Sequence, residues 1–186
     1  MKTINTHITE KLQLNKKLAD SHNQYYTIKP RTYRLLKALI EERVMFDGPN
    51  ADLNDIDVSA ITDMELLFNE VSDKIENIHI GKWNVSNVKN MRGMFERCKN
   101  FNCDLSNWDV SNVKDMENMF SRCEYFDCDL NNWDVSNVHD MARMFYKCSN
   151  FKGKGLENWK VNPGTRKYDM FENSYIEYKH NLPDWY

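Results

Sequence analysis

Tryptophan recurs at positions 83, 108, 133, 159 and 185, in steps of 25, 25, 26 and 26 residues, and no tryptophan falls off this series. A period in that range is the signature of stacked repeats, because no single unit of this size can bury its own apolar face. The two most regular copies read LSNWDVSNVKDMENMFSRCEYFDCD over 105–129 and LNNWDVSNVHDMARMFYKCSNFKGKG over 130–155. A third, IGKWNVSNVKNMRGMFERCKNFNCD, occupies 80–104. An earlier unit over 53–79 carries Ile56 at the tryptophan place. The unit over 156–181 is degraded, with Pro163-Gly164 replacing an Asn-Val pair and Lys167 replacing a methionine, and LPDWY opens a sixth. Irregular ends around regular middles are expected where outer repeats face water.

Within a unit the apolar residues change period. Trp108 and Val110 alternate, which predicts a short strand. Val113, Met116, Met119, Phe120 and Cys123 fall at helical spacing, with Ser111 or Asn112 as the cap and Phe126 folding back inward. The expected fold class is therefore an α/β repeat: a leucine-rich-repeat-like solenoid of strand plus short helix units with an N-terminal helical cap. The expected organisation is an arm or extra helix over 1–29, a helical cap over 30–52, and a repeat solenoid over 53–186 made of five units and a partial one. Leu35, Leu36, Leu39, Ile40 and Val44 form the apolar stripe of a helix over 30–47, begun by Pro30 and Thr32 and ended by Asp47-Gly48-Pro49. Ser86, Ser111 and Ser136 share one register and Asn87, Asn112 and Asn137 another. Such ladders suit satisfaction of backbone groups in the adjacent unit.

The string L-x-x-W-x-V-x-x-V at 105–113 is similar to the leucine-rich repeat pattern, and M-x-x-M-F-x-x-C-x-x-F from Met116 to Phe126 resembles the second half of the BspA-like leucine-rich repeats. The run NWDVSNVKDMENMF resembles the repeat unit of the Mycoplasma-type branch of that family. The resemblance extends over 51–186, and residues 30–56 resemble the helical lead-in before such repeats. It implies a curved parallel-sheet solenoid used for adhesion and protein binding, with no active site to carry over.

A formal charge of -3 argues against nucleic acid as a partner, since its binders usually carry a basic excess. No run of roughly 18 apolar residues is present, so no membrane span is expected. The first residues lack the apolar core of a signal peptide, which favours a cytoplasmic location. Five cysteines, at 98, 103, 123, 128 and 148, follow the repeat and read as small buried residues. The spacing Cys98-x4-Cys103 and Cys123-x4-Cys128 superficially resembles a thiolate set for zinc, but packing accounts for it. The five histidines are scattered, and no catalytic or nucleotide-binding motif appears. The chain is expected to be no enzyme and to hold no cofactor or metal.

Two rows remain as candidates for partner contact. The residue after each tryptophan or its equivalent gives Asp57, Asn84, Asp109 and Asp134, expected on an exposed strand face. Arg97, Arg122 and Lys147 align as a secondary candidate on the predicted helices. The leading function is a protein–protein interaction module that binds a macromolecular partner through the repeat surface. The alternatives are an inhibitor or effector of phage or viral type that blocks a host protein, and a structural, self-assembling repeat protein.

Overall fold

A computed structural model describes residues 27–186; the arm or extra helix expected over 1–29 lies almost wholly outside them. Helix α1 spans Tyr33–Asp47. The Thr32 Oγ1 accepts from the Leu35 N–H, and Gly48, with φ +83°, closes the other end through its N–H on the Val44 carbonyl, a geometry that glycine adopts without a Cβ penalty. Leu36, Leu39, Ile40 and Val44 are buried. The helix covers the first repeat, where the Tyr33 hydroxyl donates to the Glu65 carbonyl at 2.7 Å and Arg43 pairs with Asp55 at 2.9 Å.

The repeats stack in parallel, but not as strand-plus-helix units. Among the described residues the inter-repeat pairing consists of isolated parallel bridges, one series running Asp63, Asn90, Asp115, Asp140, Arg166, and the other α-helix is the short α2, Tyr175–Tyr178. No sheet forms among the described residues, so the expected solenoid of strands and helices is not what they build. Successive turns build each unit instead. In the unit of Trp108, i+3 to i backbone hydrogen bonds close Leu105–Trp108, Val110–Val113, Met116–Met119, Phe120–Cys123 and Cys123–Phe126, at 2.9–3.3 Å. Both ends of each of these turns are apolar and buried. That is why apolar residues sit three apart. A helix would put them on one face for a different reason.

Side chains make the remaining corners. Asp104, Asp109 and Asp115 each accept, through Oδ1, the N–H two residues on, at 2.9, 3.1 and 2.8 Å. Aspartate and asparagine favour this local bond and thereby bend the chain. Ser111 and Asn112 therefore cap no helix: the first is held by Asp109, and the Asn112 amide donates to the Ser86 carbonyl of the preceding unit at 2.8 Å. Asn87 and Asn137 make the same bond to Ser59 and Ser111.

Two features tie one unit to the next. Alternate N–H groups at 116, 118, 120 and 122 donate to the carbonyls of Asp140, Ala142, Met144 and Tyr146 at 2.7–3.0 Å. Each indole N–H donates to the carbonyl of the preceding unit, Trp108 to Ile80 at 3.1 Å and Trp133 to Leu105 at 3.1 Å. Phe95, Phe120, Phe145 and Phe171 stack at centroid separations of 5.6–5.8 Å, forming a continuous aromatic core. The cysteines are free and buried, and the thiols of Cys123 and Cys148 donate to the Phe95 and Phe120 carbonyls at 3.0 Å. Burial pushes all five thiols up, Cys128 to about 12, so they remain protonated packing groups at neutral pH.

Candidate functional site

Asp57, Asn84, Asp109 and Asp134 do share one register, but at a turn corner rather than on a strand face. Each has a structural task besides its exposure. Oδ1 accepts from the N–H of Ser59, Ser86, Ser111 or Ser136 at 3.0–3.2 Å. The serine hydroxyl joins as well, at 2.7 Å on Asn84 and 2.6 Å on Asp109. One oxygen of each side chain is thus committed to the fold. Asp57 also pairs with Lys29 at 3.0 Å.

At Asp57 and Asp134 these bonds favour the ionised carboxylate. The Ser59 hydroxyl and N–H, with Lys29, hold Asp57 down at about 2. The Ser136 hydroxyl and N–H, with Lys160, lower Asp134, and the Ser106 N–H and hydroxyl lower Asp104. A carboxylate whose folded pKa lies below its unfolded value contributes stability that is complete above the unfolded value, near 3.8, and is lost as pH falls through the folded one. The melting temperature should therefore fall between about pH 4 and pH 2, and Asp57→Asn, which keeps the corner but removes the titration, should make that fall shallower. Thermal scans across the window check this; a melting temperature that stays level in both proteins would contradict it.

Beside this row lies a shallow, open depression of about 400 Å³, lined in part by Gly81, Lys82, Asn84, Asn107 and Asp109. Gly81 stands where the next two units carry Ser106 and Asn131, and a Cβ there would come within 3.0 Å of the Asp104 carbonyl oxygen. The depression thus joins two members of the row to one ammonium group.

The secondary candidates also form a row, again on turns. Arg97, Arg122 and Lys147 have φ of +63°, +65° and +57°, which no helix contains. Their N–H groups donate across the stack to Ser121, Tyr146 and Glu172. Arg97 pairs with Glu96 at 3.7 Å, whereas Arg122 and Lys147 lie over the ring of Tyr146. Sequence reasoning missed that tyrosine and its counterpart Tyr168, flanked by Arg143 and Arg166. The available signal was that tyrosine replaces Ser121 at one register and Ala142 at another. Asp115 and Asp140 are corner formers that accept from the N–H groups of Glu117 and Ala142. No helix among the described residues is long and apolar enough to cross a membrane.

Neither a curated protein nor a solved structure matches the chain. Residues 62–185 match the family described as Mycoplasma protein of unknown function, DUF285. That span holds the regular units, their tryptophans and their aspartate corners, and the chain belongs to this family.

Proposed function

We propose that the chain is a protein-interaction module whose main contact surface is the corner row Asp57, Asn84, Asp109 and Asp134 with the depression beside it. One observation carries this reading: the side chains of the row are fixed in place by their own turns. A fixed, repeated array loses little conformational freedom on binding. Three of its four members are carboxylates, which suits a basic partner and speeds encounter at low salt. The sequence resemblance to BspA-like repeats, with their implied protein binding, supports the same reading.

The corner role dictates the test. Asp→Lys would destroy the turn together with the charge, whereas asparagine makes the same corner at position 84. Asp109→Asn/Asp134→Asn should keep the fold, with the melting temperature lowered only by the small carboxylate contribution lost at Asp134, while removing two charges from the row. Wild type and this double variant, used as parallel baits in a host lysate, should differ in a basic prey, whose affinity for the variant drops at least about tenfold, or about 1.4 kcal/mol. Equal affinity of that prey for both baits would move the contact elsewhere.

A further inference from the structure

The geometry points to a second docking surface: the turn face carrying Arg122, Arg143, Lys147 and Arg166, organised by Tyr146 and Tyr168, receives an acidic, carboxylate-rich segment of a protein partner. The Arg122 Cζ lies 5.6 Å from the centroid of the Tyr146 ring and the Lys147 Nζ 5.1 Å from the same centroid. The Arg143 and Arg166 Cζ atoms lie 5.6 and 5.3 Å from the centroid of Tyr168. Backbone bonds between units fix the spacing within each cluster: the Arg122 N–H donates to the Tyr146 carbonyl at 2.7 Å and the Arg143 N–H to the Tyr168 carbonyl at 3.1 Å. Cations lying over rings lose less freedom when they meet an anion than free side chains do.

The charge on this face is only partly answered from within the chain. Arg143 pairs with Asp169 at 3.0 Å and Arg166 with Asp140 at 2.6 Å. Arg122 and Lys147 make no ion pair among the described residues, and their neighbour in the other direction is an aromatic ring. Their backbone positions sharpen the point. Arg122, Arg143 and Lys147 all have positive φ, a region that glycine and asparagine occupy more cheaply than other residues. The chain itself uses Gly93 and Asn118 in the register of Arg143, and Asn173 in the register of Lys147, each also at positive φ. Cations therefore stand at three turn positions where the fold alone is served by asparagine.

Carboxylates fit this face better than nucleic acid does. A guanidinium takes a carboxylate through two parallel N–H donors. Single-stranded nucleic acid would need open ring faces on which bases stack, and here the rings already carry cations. The net charge of -3 further opposes a long polyanion, while a short acidic segment senses the local field.

The test uses the full chain and a fluorescently labelled peptide of about ten residues alternating Glu and Ala, followed by anisotropy at low ionic strength. A thymidine oligonucleotide of equal charge serves as comparison. Arg122→Asn/Arg143→Asn/Lys147→Asn should weaken peptide binding at least about tenfold. Its melting temperature should equal or exceed that of the wild type, since asparagine suits each backbone position. Asp109→Asn/Asp134→Asn should leave peptide binding intact, so this surface stands or falls separately from the acidic row. Undiminished peptide binding by the triple variant would overturn the inference. So would tighter binding of the oligonucleotide than of the peptide to the wild-type chain. If the triple variant melts lower, Arg122→Asn alone, at a residue with no ion pair to lose, decides between the same outcomes.

Discussion

Trp108→Ala should destabilise the protein by roughly 3–5 kcal/mol, the range for truncating a buried aromatic. Trp108 is 1% exposed, stacks on Trp83 at 6.4 Å with planes 6° apart, and lies 6.2 Å from Phe95. Truncation opens a cavity between two units and also removes the donor to the Ile80 carbonyl. The Ile80 carbonyl keeps the Trp83 N–H at 3.0 Å, so the lost indole bond adds only the net value of one hydrogen bond, about 0.5–1.5 kcal/mol. Stability in a stack depends on nearest neighbours, so loss of one interface weakens cooperativity between the halves on either side. Urea denaturation should show a lower midpoint with a shallower transition. Trp108→Phe, which keeps most of the volume but not the donor, should fall between the two. A loss below about 1 kcal/mol for the alanine variant would mean that the indole does not bridge the units.

The period, the core positions and the cross-unit asparagine ladder were legible from the sequence, because register alone determines them. The local conformation was not. Met116, Met119, Phe120 and Cys123 have the i, i+3, i+4, i+7 spacing of an amphipathic helix, and consecutive turns with apolar ends generate the same spacing. Gly93 and Asn118, in one register at the middle of the supposed helix, were the contrary signal, since both favour the left-handed backbone found there. The supposed strand misled in a similar way. Trp108 and Val110 alternate, yet Asp109 with Ser111 two residues on is also the pattern of a side-chain-closed corner. At the candidate site, the sequence placed Asp57, Asn84, Asp109 and Asp134 in one row but gave them no structural task, because the recurring serine two residues on fits an exposed strand position as well as a corner. The tyrosines beside the basic residues escaped notice because each occurs once, in a register that other units fill with different residues.

The 26-residue spacing from Trp133 to Trp159 is the other place where a single atom should matter. The regular units pass from Cys103 to Leu105 and from Cys128 to Leu130 through one aspartate, whereas the next passes from Gly153 to Leu156 through Lys154 and the extra Gly155. Gly155 has φ +91° and opens the short 3-10 turn Leu156–Asn158. A Cβ at that position would lie 2.3 Å from the Asn131 backbone nitrogen, 2.6 Å from its Cα and 2.9 Å from the Leu130 carbonyl carbon. All three obstacles are main chain, so no rotamer change relieves them, and the backbone conformation is itself unfavourable for a residue with a Cβ. The neighbouring strand of chain is pinned as well: the Leu130 N–H donates to the Lys154 carbonyl at 3.2 Å, and the Leu130 carbonyl receives the Trp159 indole at 3.0 Å. Relief therefore requires moving Leu156 and Trp159, both buried, away from the preceding unit. Gly155→Ala should cost more than about 3 kcal/mol, combining backbone strain of about 1–3 kcal/mol with overpacking of a similar size. Gly153→Ala is the informative comparison, because its Cβ would meet the Ile176 Cδ1 at 2.2 Å, the far end of a side chain that can turn aside. Its cost should be clearly smaller. Denaturation of the two variants side by side settles the matter, and equal losses would show that the close approach of Gly155 to Asn131 is not what the extra residue imposes.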